Sequence, residues 1–317
     1  MSTPSPPAAG RRWPPRVLIG LAGLGLTLAW AYWPVLAAMA DKWQTEEQYS
    51  HGYLVPAFAL LLLWFRRDRL ADGPAEPCWW GLAFLGAGAL LLLAGGRYYY
   101  DWFEAISLLP CLAGFCLLLG GWRALAWAWP AVGFLGFMMP LPHRVETALS
   151  QPLRRFATQA STYALQTLGF PALAEGNVIV LNDVRIGVVE ACNGLSMLLV
   201  FIALAAGVVL VIRRAWWEKV CLLASAIPIA LAANVVRLTV TGVLHDLVGN
   251  EAGNAFHDWG GWVMMPLALG LLWLELWLLA RLFIPVAAPR PVALDLAKPP
   301  AASRAPQRRK PKRAAKR

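Results

Sequence analysis

The sequence predicts an all-α, polytopic membrane protein: about eight transmembrane helices, an amphipathic helix on the outer face and a short β-hairpin. Three observations carry that prediction. Hydrophobic residues fill 59% of the 317 positions and charged residues only 15%, and mean hydropathy is +0.54, too apolar for a soluble domain of this size. Apolar runs bounded by charge recur at the length that crosses hydrocarbon, roughly 20 residues as a helix. Lys and Arg are distributed unevenly between the segments that connect those runs.

Taken in order, residues 1–15 are rich in Pro and Ala and read as a disordered cytoplasmic N-terminus. The apolar stretch that follows is too long for the core of a cleaved signal and reads as an anchor. Residues 16–286 form the integral-membrane domain, with spans at 17–39, 49–65, 78–96, 102–121, 124–142, 192–212, 220–244 and 259–285. The second is the shortest; Tyr49 to Phe65 would rise only about 26 Å. The fourth holds Glu104 near one end, within reach of the interface. Residues 287–317 form a basic disordered cytoplasmic tail. There, from 288 on, ten Lys/Arg face Asp295 alone and account for most of the net charge of +10. Interrupted by prolines, such a run hugs an anionic leaflet, with no nucleic-acid partner implied.

With both termini in the cytoplasm, the inner segments carry 21 Lys/Arg and the outer segments six, Arg237 lying inside a span. The loop after the fifth span runs against this bias, with Arg144, Arg154, Arg155 and Arg185 opposite a lone Arg123. That outer loop, 143–191, opens with Val145, Leu149, Leu153, Phe156, Ala160 and Tyr163 at helical spacing, an amphipathic helix on the outer leaflet. Its second part, "GNVIVLNDVRIGVV", has two β-branched runs around Asn182-Asp183 and predicts a hairpin leading to Cys192.

Depth then sorts the reactive residues. Cys78 and Cys221 fall near inner span ends, Cys111 and Cys116 fall mid-membrane, and Cys192 alone reaches the outer face, without an evident disulfide partner there. His51, His143, His245 and His257 gather near that face, as does Arg237 in "NVVRLTVTG". A thiol at a helix N-terminus has its thiolate stabilised by unpaired backbone N–H groups and the helix dipole. An intramembrane arginine is costly without a partner or a task, and an interfacial histidine can move a proton. Cys192, Arg237 and His257 together would supply a nucleophile, an electrophilic stabiliser and a general acid/base for acyl transfer. Each also has a plainer reading: a small buried hydrophobe for the cysteine, a snorkelling anchor for the arginine and a hydrogen-bonded interfacial residue for the histidine.

The runs "VVEACNGLSML" (188–198), "IPIALAANVVRLTVTGVL" (227–244) and "NAFHDWGGWVMMPLAL" (254–269) resemble the exosortase/archaeosortase family. The segment "YSHGYLVP" (49–56) followed by "WFRRDRL" is similar to another of that family's recurrent stretches, and the resemblance runs from about Trp43 to Phe283. It implies a membrane-embedded cysteine protease or transpeptidase of the bacterial inner membrane, its active site facing the periplasm. Its substrates would be membrane-anchored proteins with a C-terminal sorting signal of the PEP-CTERM type: a Pro-Glu-Pro motif, a transmembrane helix and a short basic end. The family's Cys, Arg and His correspond to Cys192, Arg237 and His257. Asn193 departs from the Ser common after the Cys, a small polar replacement that leaves the nucleophile intact.

Supporting positions stay open between two readings. Glu190 either orients His257 or is a solvated acid at the hairpin's end, and Asp258 is either an orienter or an interface residue. His51 either contacts substrate or caps the second span. Asn234, one turn before Arg237, can hydrogen-bond within the site, and His245 competes with His257 as base. No cofactor is implied. A metalloprotease would need close His/Glu spacing such as H-E-x-x-H, which is absent from the sequence. The other class of function is a transporter or polysaccharide-export assembly subunit without peptidase activity. A transporter would spread polar residues through the membrane depth, whereas here they collect at one end.

Overall fold

A computed structural model describes residues 15–68, 76–182, 184–188 and 194–282. The expected disordered N-terminus and basic tail, and Glu190, Cys192 and Asn193, lie outside the described residues. Among the described residues nine α-helices dominate: α1 (Pro15–Thr45), α2 (Leu54–Phe65), α3 (Trp80–Tyr98), α4 (Asp101–Ile106), α5 (Leu108–Phe134), α6 (His143–Thr167), α7 (Leu195–Val211), α8 (Trp216–Leu247) and α9 (Asn250–Leu282). Short 3-10 helices at Glu47–Tyr53 and Leu135–Met138 join the first of these.

The chain is a predominantly helical membrane protein, but the expected count of about eight spans is not supported. Among the described residues four segments are long and apolar enough to cross a membrane: Ala22–Thr45, Trp80–Tyr98, Asp101–Met138 and Trp216–Leu247. The second predicted span shrinks because residues 47–53 form a 3-10 turn, leaving 12 residues in α2; these rise about 18 Å against a core of about 30 Å. Helix α7 has 17 residues. Helix α9 opens at Asn250, well before the expected start at 259.

The fourth and fifth predicted spans merge into Asp101–Met138, yet this segment is bent back on itself. Gly121 has φ 66° and ψ −155°, a conformation that breaks the helix and that side chains other than glycine rarely adopt. At one end of the segment Lys42 Nζ lies 3.8 Å from Asp101 Oδ2. At the other, Trp43 Nε1 donates to the Met138 carbonyl at 2.8 Å. Both ends therefore return to the last turn of α1, which a straight helix of 38 residues, about 57 Å long, could not do. Before the break α5 packs on α3, where buried Gly81 faces Gly114 and buried Gly88 faces Cys111. After it α5 packs on α2, with the Phe58 and Phe134 rings 4.8 Å apart and Arg66 Nε donating to the Trp127 carbonyl.

A second body is built from α7, α8 and α9 around Phe201, Ala205, Ala226, Ala230 and Ala268, all buried. Its small residues let the helices approach closely, the usual basis of helix association in lipid. Against it lies α6, whose first turn ties back to the 3-10 turn: Gln48 Nε2 donates to Glu146 Oε1 at 2.6 Å and Tyr49 Oη to Glu146 Oε2 at 3.3 Å.

Helix α6 forms where the periodicity predicts it, but its apolar stripe does not face the protein. Val145, Leu149, Phe156 and Tyr163 are exposed, while Ser150, Thr158, Ser161 and Thr162 are buried, with Ser161 Oγ donating to the Val235 carbonyl of α8. Such an outward apolar face suits a helix lying at a lipid interface.

The expected hairpin is a three-stranded antiparallel sheet in the order β1 (Ala172–Glu175), β2 (Val178–Leu181), β3 (Val184–Gly187). The β2–β3 turn holds Asn182 at φ 51°. The additional strand pairs Ala172 with Leu181 and Glu175 with Val178 across the Gly176-Asn177 turn, a turn signal next to a stretch, "ALAE", with little β-propensity of its own. Ala172, Ile179, Leu181 and Ile186 face Ala157, Leu165 and Leu238 as a third core cluster.

Candidate functional site

Arg237 and Asn234 stand on adjacent turns of α8, 1% and 2% exposed respectively. Each meets a glycine of a neighbouring helix. A Cβ at Gly194, the residue before α7, would lie 3.3 Å from Asn234 Nδ2 and 3.9 Å from Leu153 Cβ of α6. Gly194 has φ 81°, the left-handed turn by which the chain enters α7. On the other side, a Cβ at Gly260 would lie 3.2 Å from Arg237 Cδ and 3.4 Å from its Nε. The guanidinium stem therefore passes against bare backbone of α9. Thr241 Oγ1 donates to the Arg237 carbonyl at 2.9 Å and Thr239 Oγ1 to that of Val235 at 2.7 Å, satisfying hydroxyls on a helix that is mostly apolar.

The two glycines tie these residues to the sequence motifs. Gly194 is two positions after Cys192, and Gly260 is one helical turn after His257. His257 belongs to α9, inside the helix rather than ahead of it as expected; its side chain, like that of Asp258, lies outside the described residues. Motif segments far apart in sequence thus converge on Asn234 and Arg237.

His245 does not join them. It lies two turns beyond Arg237 on α8, its Nδ1 3.2 Å from Asn250 Oδ1 and its ring packed over Gly253. His143 begins α6 and lines a separate cavity of 410 Å³ with Lys42, Asp101 and Glu104. His51 is buried at 6% exposure in the 3-10 turn, with Nε2 3.1 Å from the Phe137 carbonyl. It anchors one 3-10 turn to the other, and it does not cap α2, whose preceding residue makes no side-chain cap.

Among the described residues, no group of three or more His, Cys, Asp or Glu could hold a metal ion. The described cysteines, Cys78, Cys111, Cys116 and Cys221, are free. Cys111 packs into a buried cluster with Tyr32 and Ser107, Tyr32 Oη lying 2.8 Å from Ser107 Oγ and 3.2 Å from Cys111 Sγ.

Gly194 and Gly260 are the positions that residue-by-residue reading of chemistry passes over. Both stood inside motif segments, but a glycine carries no functional group to attract notice; their meaning is the polar side chain that occupies the vacated space.

The family model described as transmembrane exosortase (Exosortase_EpsH) matches residues 43–274. No curated protein matches the chain. No solved structure does either.

Proposed function

The chain belongs to the transmembrane exosortase family, and on that premise we propose that it is a membrane-embedded cysteine peptidase or transpeptidase acting on proteins with a C-terminal PEP-CTERM-type sorting signal. The observation that carries the reading is the convergence on α8: Asn234 against Gly194, two residues past Cys192, and Arg237 against Gly260, one turn past His257.

In this reading the Cys192 thiolate attacks the carbonyl carbon of the scissile peptide near the Pro-Glu-Pro segment. Arg237 stabilises the oxyanion that develops, where a preorganised cation in a poorly hydrated setting has its greatest effect. His257 protonates the departing amine as the tetrahedral intermediate collapses to a thioester. An acceptor amine or water then attacks the thioester and frees the thiolate. Glu190 and Asn193 flank the nucleophile, and Asn234 steadies the Gly194 turn that leads from it.

We further propose eight membrane passages with both termini cytoplasmic and the site facing the periplasm of a bacterial inner membrane. The reversal at Gly121 supports counting Asp101–Met138 as two, and the 3-10 turn Glu47–Tyr53 lengthens the short α2. A substrate tethered by its own C-terminal helix, its basic end in the cytoplasm, presents the preceding peptide at that periplasmic level.

Co-expression with a tagged PEP-CTERM-type protein tests the activity. Wild-type enzyme should shorten the tagged protein and release it from its membrane helix, and Cys192→Ala enzyme, inserted at normal levels, should leave it full length. Normal processing by the Cys192→Ala variant would overturn the assignment.

A further inference from the structure

An apolar groove of 620 Å³ lies between α2 and α7, and His51 is the one polar side chain on its wall among the described residues. We propose that this groove seats the membrane helix of the protein substrate and so sets where the peptide before it meets the site. The proposal rests on the peptidase reading above and adds to it the place where the substrate is held.

Three features favour that occupant. The first is continuity with the site. The wall on α7 runs from Val200 to Ile212, and that same helix begins at Gly194 beside Asn234. His51 marks the same end, because its 3-10 turn bonds through Gln48 and Tyr49 to Glu146 and Leu153, two turns further along α6, reaches Gly194. A helix in the groove therefore ends where the motif segments converge.

The second is length. From Val200 to Val211 is about 17 Å of helix, longer than the roughly 15 Å of hydrocarbon in a single leaflet. A groove of that length reaches past the midplane, as a spanning helix does. The third is shape. Ala203 on the floor is a small residue beside which another helix can come close, while the space over Gly207 is filled by the Phe58 ring of α2. The volume takes in side chains from one face of a helix, and that helix would lie across the open mouth, where Leu61 is 49% exposed.

The test uses the full chain in liposomes of phosphatidylethanolamine and phosphatidylglycerol. The probe is a synthetic fluorescent peptide with a Pro-Glu-Pro segment, an apolar helix of about 20 residues and a basic end. With the photoreactive residue p-benzoylphenylalanine replacing Leu61, illumination should join enzyme to probe, and unlabelled peptide should compete. The same residue replacing Leu90, 70% exposed on α3, should capture lipid only. Leu61→Trp, which fills the mouth, should raise KM for the probe about tenfold with little change in kcat, while alkylation of Cys192 by a small maleimide stays at the wild-type rate.

Lipid adducts alone at position 61, or equal capture of the probe at 61 and 90, would overturn the groove proposal. Cleavage of the probe without capture at 61 would do the same while leaving the peptidase reading intact. Competed capture at 61 without cleavage would uphold the groove and count against the peptidase.

Discussion

On α3, Gly81, Gly88 and Gly95 recur at every seventh position, all buried, and face the Gly114 backbone, Cys111 and Glu104 so closely that a Cβ at any of them would collide. At Gly194 and Gly260 the missing side chain makes room instead for Asn234 and Arg237. The first set joins helix to helix over several turns and belongs to the scaffold. The second admits polar groups of α8 at single points and belongs to the site. A glycine's role is thus set by what occupies its empty side-chain volume, so damage at the two sets should differ in kind.

The largest effect expected is at the proposed nucleophile, where Cys192→Ala should abolish processing without lowering the amount of inserted protein, as measured by immunoblot of membranes and of the substrate. Gly260→Val should come next. Its added carbons would displace the Arg237 stem and with it the cation proposed to stabilise the oxyanion, costing about a hundredfold in kcat while thermal unfolding in detergent moves little. A loss of stability matching the loss of rate would place Gly260 with the scaffold and break the comparison. Gly88→Leu should do the reverse. Overpacking against Cys111 should destabilise by about 1–3 kcal/mol and reduce the folded yield, with kcat per folded molecule unchanged.

How much of this could be read beforehand differs between the same two regions. The helical membrane class followed from composition and apolar length, and α6 from its periodicity, because both depend on local sequence. Their common depth in the predicted topology drew Cys192, Arg237 and His257 into one hypothesis, and the family resemblance chose His257 over His245. Span boundaries were less legible. Nothing in "CLAGFCLLLGGWRAL" (111–125) marks which of two adjacent glycines breaks the helix, and Gly121 takes that role where the Glu76 carbonyl crowds it. Strand β1 was missed because "ALAE" is an edge strand held by pairing to β2 rather than by its own propensity. The outward apolar face of α6 agrees with a helix read as lying on the outer leaflet, whereas the buried face of Ser150, Thr158, Ser161 and Thr162 was not legible, since small polar residues carry no sign of what they pack against. The Gly194–Asn234 and Gly260–Arg237 contacts join residues whose closeness only tertiary structure reveals.

Smaller effects sharpen the boundary between the regions. His51→Gln removes the hydrogen bond between His51 Nε2 and the Phe137 carbonyl. It should cost about 1 kcal/mol, read as a fall in melting temperature; a loss of processing with the melting temperature unchanged would move His51 from the scaffold to the site. Smallest of all, Asn182→Ala removes an exposed hydrogen bond from Asn182 Nδ2 to Asp246 Oδ1. It should cost about 0.5–1 kcal/mol, seen as a slight fall in melting temperature with the probe's KM unaltered.

The turn at Gly121 has a consequence for parity. Because the segment departs from Asp101 and comes back at Met138 to the same turn of α1, its two ends stand at one level of the molecule. In the eight-passage arrangement proposed above, everything downstream, from α6 to the motif helices, keeps the sidedness that α1 set. A reporter fused just after Arg123 and one fused at Pro142 should then signal from opposite compartments, although barely twenty positions separate them. Straightening that glycine would invert the second half of the molecule relative to the first.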